Sequence, residues 1–426
     1  MKSPVAIPAE LGLETFERES FNIFSQIIYF LVFLRITIKK ECMDEFYTEL
    51  KKLVPLKYNK GDFRDVLVGA LESYVDLLEL HKKELCPDID DVISYVKLCN
   101  IKIETCIEAY FEGMYSVAYQ CIEEILSDVL YSDGYLTILP DSLFYRARVF
   151  KTNGRKSYTE MFHIPLDKRG IVETQRYSAP GYPCLYLGSS INACWEELRK
   201  PRFDDMMVSL FVVNEKFPVL DLRIPKKEDL KDSRLSMVLK KIPLILSSSV
   251  YVLNRDSFFK PEYIIPQLII EHIITQNRNR YKDKEYDLFE FILGVYYTSV
   301  HINDDWEFPC STFDNLALPV VFVDKKESYC QLLASCFKWT DPTSYSYEDI
   351  RGKFDIQKTE IDKDVHLTEK EKNYKYSKMG KLERRLFDLE RYKMPYLVVN
   401  KRALSFSNGG EEKEIGIRSS GPYTIT

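Results

Sequence analysis

The sequence predicts an α+β protein in which a helical bundle precedes a mixed β core with flanking helices. Three observations carry that expectation. Up to about residue 131 apolar residues recur at helical spacing. Ser132-Asp133-Gly134 and Pro140 then break the chain, and β-branched and aromatic residues alternate with polar ones beyond them. The length of 426 residues exceeds one average domain. The expected division is a helical regulatory or interaction domain over 1–134, a β-rich domain over 135–340, and an extension of surface helix and loops over 341–426.

Taken in order, 1–20 reads as a loose leader and 21–51 as a helix broken near Pro55. The most apolar run, Ile27–Leu34, ends at Arg35 and is too short to span a membrane, so it reads as buried helix. A second helix is expected over 63–85. Pro87 and the acidic run that follows start a third, carried to about Tyr131 with one break near Asn100 and Gly113 inside it. Short connections make these a bundle. The Arg-x4-6-His spacing of helical ribonucleases is absent.

In Leu143–Phe150 the side chains of Phe144, Arg146, Arg148 and Phe150 share one strand face. Two arginines facing a core need partners. Either a phosphate or carboxylate in a cleft supplies them, or the strand is a wet edge. Strands are also expected at 206–213, 219–223, 242–253, 289–300 and 318–323. Helices are expected at 229–239 and, opened by Pro266, at 267–275, with a polar loop over 277–284. Beyond Trp339 the chain is polar, with a surface helix over 368–392 and a strand over 394–400.

Net charge is −6, which excludes a general nucleic-acid coat. The ten cysteines form no CxxC pair, and no histidine stands at metal-ligand spacing from a Cys or another His. Buried thiols in a reducing, cytoplasmic compartment and no metal are the expectation.

The most informative stretch is 175–198, QRYSAPGYPCLYLGSSINACWEEL. Pro180, Gly181 and Pro183 form a turn after Arg176 and Tyr177, and 184–187 is a short buried strand. Ser189 or Ser190 caps a helix whose stripe is Ile191, Cys194, Trp195 and Leu198. At roughly 100° per residue, Glu196 points about 150° from that stripe, toward solvent, and Glu197 about 110°, at its border. Glu197 is therefore the better site candidate and Glu196 the alternative. No Gly-rich dinucleotide fingerprint is present, Gly188-Ser189-Ser190 included.

Arg176, Tyr186 and Glu197, spaced by ten and then eleven residues, resemble the core of the RES family, named for a shared Arg, Glu and Ser. Arg146 in LFYRARVF and Ser299 in GVYYTSV match further positions, and EYIIPQLIIEHI is similar as well. The resemblance spans about Asp141 to Lys338. It implies a core similar in fold to ADP-ribosyltransferases, with NAD as the substrate and the nicotinamide–ribose bond cleaved by hydrolysis or phosphorolysis. It implies that Arg146 and Arg176 bind phosphate and ribose, that Tyr186 packs on the nicotinamide side, and that Glu197 is the catalytic acid group with Ser299 steadying the site. It also implies a toxin or defence effector restrained by an antitoxin or regulatory protein, with self-association as a further candidate partnership. A catalytically silent nucleotide-binding module and an ADP-ribosyltransferase acting on a macromolecule are the alternatives.

Overall fold

The structure is a computed structural model that describes residues 41–131, 134–150, 156–231, 234–281, 291–301, 313–321, 328–351 and 369–391. The leader, the apolar run Ile27–Leu34 and the strand expected over 394–400 lie outside them. The helical part comprises α1 (41–53), α2 (Phe63–Leu80), α3 (Ile89–Phe111) and α4 (Tyr115–Tyr131). Asp62 caps α2 by accepting from the Arg64 N–H, and Asp90 and Asp91 sit in the first turn of α3.

The break expected near Asn100 falls elsewhere. Asn100 stays helical and donates from Nδ2 to the Leu71 carbonyl of α2 at 3.0 Å. The chain turns instead at Gly113, whose φ is +79°. The Met114 N–H reaches the Ala109 carbonyl and the Gly113 N–H the Tyr110 carbonyl, the two bonds of a Schellman cap.

Eight strands of the described residues form one sheet. They are β1 (Tyr135–Ile138), β2 (Leu143–Val149), β3 (Cys184–Gly188), β4 (Met206–Val213), β5 (Phe217–Leu222), β6 (Val295–Thr298), β7 (Asp314–Pro319) and β8 (Phe337–Trp339). The order is β1-β5-β6-β7-β3-β2-β4-β8, antiparallel except for the β5–β6 pair. That parallel pair needs a long crossover, which α6 (Leu235–Ser248) and α7 (Ile264–Tyr281) supply. β2 lies between β3 and β4 and is not an edge, although β2 and β3 share only the Tyr145–Gly188 position.

Several expected elements shift. The run 242–253, read as a strand, is helical through Ser248, because a short apolar run has no period to separate buried helix from buried strand. The predicted 229–239 helix is a 3-10 turn at Asp229–Lys231, and α6 starts at Leu235. Pro266 is the third residue of α7, which runs on through the expected loop to Tyr281. Asn277 there is buried and donates to the Ile292 carbonyl at 2.8 Å, so its polarity serves an internal bond and not a loop. The strands expected at 289–300 and 318–323 are the shorter β6 and the earlier β7.

The helix expected over 368–392 is two helices, α8 (Glu369–Tyr376) and α9 (Lys378–Arg391). It is no surface element. Leu382 and Leu386 are fully buried with Val208 and Leu210 of β4 and with Ile191 and Cys194.

One core runs from α2–α4 through α6 and α7 onto the sheet face carrying Leu220, Leu222, Val295 and Ala317. The helices before 131 therefore bury their apolar surface against α6 and α7, and α6 in turn packs on β5 of the sheet. The opposite face packs Leu185, Leu187, Phe211 and Leu316 with Phe162 and Trp339. Pro243 sits inside α6 and has no N–H for the Leu239 carbonyl. The Tyr74 hydroxyl of α2 donates to that carbonyl at 2.9 Å, so the two halves of the chain are joined by a hydrogen bond as well.

Candidate functional site

The site is built where β3 passes into α5 (Ile191–Glu197). A Cβ on Gly188 would stand 2.8 Å from the Cys194 sulfur, so glycine lets the helix fold directly back on its strand. Ser190 caps α5 by accepting from the Ala193 N–H at 3.0 Å. Ser189 ties the turn to the start of β7. Its N–H donates to the Asp314 carbonyl at 2.8 Å, and its hydroxyl accepts from the Asp314 N–H at 3.1 Å.

The two acids of α5 are disposed opposite to the wheel expectation. Glu196 is 5% exposed, whereas the Glu197 side chain is 35% exposed. A wheel assumes water on the side away from the stripe. Here α5 ends at once, and Arg199 and Lys200 take left-handed backbone with φ of 66° and 54°. That turn folds the chain back, with the Lys200 N–H on the Trp195 carbonyl and Lys200 Nζ 3.2 Å from Glu196.

Glu197 is held from the far strands. Its Oε1 accepts from Ser299 Oγ at 2.7 Å, just after β6, and from Asn315 Nδ2 at 2.8 Å, in β7. His301 Nε2 lies 3.8 Å from Oε2. The His301 N–H donates to Ser299 Oγ at 3.2 Å, so the serine links the two. Arg255 Nη2 reaches His301 Nδ1 at 3.3 Å and also the Tyr251 hydroxyl. A guanidinium only donates, so Nδ1 accepts and the proton of a neutral ring sits on Nε2, facing Glu197. Burial lowers the His301 pKa below the usual imidazole value; Glu197 opposes that shift, and the Arg255, Arg176 and Arg199 cations reinforce it.

Arg176 is buried. Its Nη1 and Nη2 donate to the Ser248 and Val250 carbonyls, both at 2.8 Å, which closes the C-terminal end of α6. Its cation lies over the Tyr263 ring at 5.3 Å, and both it and Glu197 act on Tyr263 and Tyr297. Tyr186 stands beside the same two rings, and burial raises its hydroxyl pKa, with Cys184 and the Tyr177 main chain beside it.

Arg146 is set apart. Its Nη1 donates to the Tyr186 carbonyl at 2.7 Å, and Arg148 Nη1 donates to the Glu160 carbonyl at 2.5 Å. Main-chain carbonyls thus partner one nitrogen of each arginine of β2, while Arg146 Nε is buried without a hydrogen bond among the described residues and burial lowers the Arg146 pKa to about 9. The structure brings Glu197 and Ser299 into contact and groups Arg176 and Tyr186 with the tyrosines beside them. It attaches Arg146 to the site through the Tyr186 main chain alone.

Sequence reasoning missed Asn315, His301, Arg255, Tyr251 and Tyr263. His301 had a local signal, standing two residues beyond Ser299, and Tyr263 another, lying in EYIIPQLIIEHI. Beside His301, the neighbour of Glu197, opens a cavity of about 630 Å³, which Glu196 lines and Glu197 does not. Its wall comes from Lys57–Asn59, Glu196, Arg199, Lys200, Tyr251, Arg255, Val300 and His301. Among the described residues no cluster of His, Cys, Asp and Glu could hold a metal, and no helix is long and apolar enough to cross a membrane.

The chain is 31% identical over 317 residues to a Bacillus subtilis (strain 168) protein named "Putative toxin YopC", and the match covers 68% of each chain. It belongs to the YopC family. A match of that length is longer than the stretch from β1 to β8, so likeness to YopC takes in more than the sheet. No protein-family model and no solved structure matches the chain.

Proposed function

We propose that this protein is a toxin that degrades NAD by cleaving the nicotinamide–ribose N-glycosidic bond, on a RES-type core similar in fold to ADP-ribosyltransferases. The observation that carries the reading is the suspension of Glu197. One oxygen is fixed by Ser299 and Asn315, and the other is turned toward His301, which lines a cavity within the size range of small-molecule sites. The name of the YopC relative supports the toxin part of the reading.

In this reaction the C1′–N bond breaks and its electron pair leaves with nicotinamide, a neutral ring. Positive charge develops on the ribose. The Glu197 carboxylate, held still, stabilises that charge without reorganising. A water oxygen then bonds to C1′ and releases its proton to solvent. Phosphate or a macromolecular nucleophile in the same place would give phosphorolysis or ADP-ribosyl transfer. Tyr186 offers a ring face and a polar tip to the nicotinamide ribose. Arg176 contributes a fixed cation, and Arg146 holds the strand that carries Tyr186. An activity of this kind needs restraint, and an antitoxin or regulatory protein is the proposed partner.

The test mixes purified protein with NAD and follows free nicotinamide, with and without inorganic phosphate. Release is expected in the native protein and lost in Glu197→Gln, and growth arrest on expression should be lost with it. Undiminished release in that variant would remove Glu197 from the reaction; no release from the native protein would remove the reaction itself.

A further inference from the structure

The cavity beside His301 is walled by four cations, Lys57, Arg199, Lys200 and Arg255, against one lining carboxylate, Glu196. Glu196 is already paired with Lys200. Two of the cations are placed with unusual firmness. Arg199 occupies left-handed backbone, a conformation that non-glycine residues adopt only where the surroundings enforce it. The enforcement is visible: its N–H bonds the Glu196 carbonyl, the next N–H bonds the Trp195 carbonyl, and Trp195 Nε1 bonds the Pro201 carbonyl. Arg255 spends one nitrogen on Tyr251 and His301.

The third segment comes from the helical part of the chain. Lys57–Asn59 lies between α1 and α2, and it is fixed to the loop that carries Arg255. Tyr58 donates to Glu262 Oε1 at 2.6 Å, the same oxygen accepts from the Leu253 N–H, and the Tyr251 N–H bonds the Leu56 carbonyl. The segment is thus a built wall of the cavity.

We propose that this cavity is a diphosphate-binding subsite in which Arg199 and Arg255 grip the phosphates and Lys57 closes the rim, so that the helical part of the chain completes the substrate site. The proposal rests on the reading of Glu197 as the group that faces the ribose, and it extends that reading. A dinucleotide with its nicotinamide ribose at Glu197 would run its diphosphate along Arg199 toward Lys57. Neither Arg146 nor Arg176 lines this cavity: Arg146 gives Nη1 to the Tyr186 carbonyl, and Arg176 gives Nη1 and Nη2 to the Ser248 and Val250 carbonyls. Guanidinium is the natural grip, since its paired N–H groups match two phosphate oxygens.

Calorimetric titration with ADP-ribose and with inorganic pyrophosphate tests the proposal on the full chain. Four proteins are compared: native, Arg199→Asn, Arg255→Gln and Lys338→Gln, the last an exposed cation on β8 away from the cavity. Asparagine tolerates left-handed backbone, so Arg199→Asn should match or exceed the native melting temperature while binding weakens. The expected result is a loss of about ten-fold or more in ADP-ribose affinity for each arginine variant and none for Lys338→Gln. If the native protein releases no nicotinamide but this pattern holds, the subsite stands and the cleavage reading falls. Undiminished ADP-ribose affinity in Arg199→Asn, equal weakening in Lys338→Gln, or no binding of either probe by the native protein would overturn the subsite.

Discussion

Ser299 donates a 2.7 Å hydrogen bond to Glu197 across 102 positions of sequence. The serine sits at the end of β6 and the acid at the end of α5, and β7 lies between β6 and β3 in the sheet. Asn315 of β7 binds the same oxygen, so two neighbouring strands fix one carboxylate whose own helix has only seven residues.

Removing either support should loosen Glu197 before it affects the fold. Ser299→Ala and Asn315→Ala are each expected to slow nicotinamide release by about ten-fold or more. Ser299→Ala should leave the melting temperature close to native. Release at the native rate in both variants would show that the carboxylate needs no external hold.

Arg176 should behave as a scaffold residue as well as a charge. Lysine keeps the cation but cannot donate to the Ser248 and Val250 carbonyls from two nitrogens at once. Arg176→Lys is therefore expected to lose about 1–3 kcal/mol in denaturant titration, as a buried carbonyl is left unpaired. A variant of native stability with weakened NAD turnover would instead point to direct ligand contact.

Tyr74 and Pro243 form a pair that a double-mutant cycle can isolate. Tyr74→Phe alone leaves the Leu239 carbonyl without its donor and should cost about 1 kcal/mol. With Pro243→Ala the helix regains its own N–H for that carbonyl, and Tyr74→Phe in that background should cost much less. Equal losses in both backgrounds would mean that the hydroxyl serves something else.

Glu383 of α9 gives stability a pH dependence. It is half-buried and accepts from the Ile191 N–H and the Tyr374 hydroxyl, both at 2.6 Å. Burial raises its pKa from the ordinary 4.5 to about 7. Between those values the native state keeps a proton that the unfolded chain has released. Its stabilising contribution is therefore complete below about pH 4.5 and is lost as pH rises through 7. Asp314, pushed up to about 6 chiefly by burial, works in the same direction over a lower window. Glu383→Gln keeps the accepting oxygen and removes the charge. It should melt higher than native at pH 8, by up to about 3 kcal/mol, with no gain at pH 4. A pH-independent difference would assign the effect to packing.

Which elements could be read in advance follows from where their determinants lie. The helices before 131 carry a 3.6-residue apolar period over many turns, β2 places its arginines on alternate positions, and β3 is a short apolar run bounded by Pro183 and Gly188, so these were legible without the fold. Ile242–Leu253 was misread because a fully buried run has no polar face to show its period. The C-terminal leucines Leu382 and Leu386 repeat at helical spacing, yet only the sheet they cover decides that they are core and not surface.

The site divides along the same line. The sequence by itself determined the turn, the strand and the helix that deliver Tyr186 and Glu197, because Gly188 and Ser190 act on residues within six positions of themselves. Only the tertiary structure decided that Asn315 and His301 attend Glu197, that Glu196 lines the neighbouring cavity, and that a segment at 57–59 walls it. Those outcomes depend on the left-handed turn after α5 and on strands paired across more than a hundred residues. Contacts of that kind are set by how elements pack, and no local period records them.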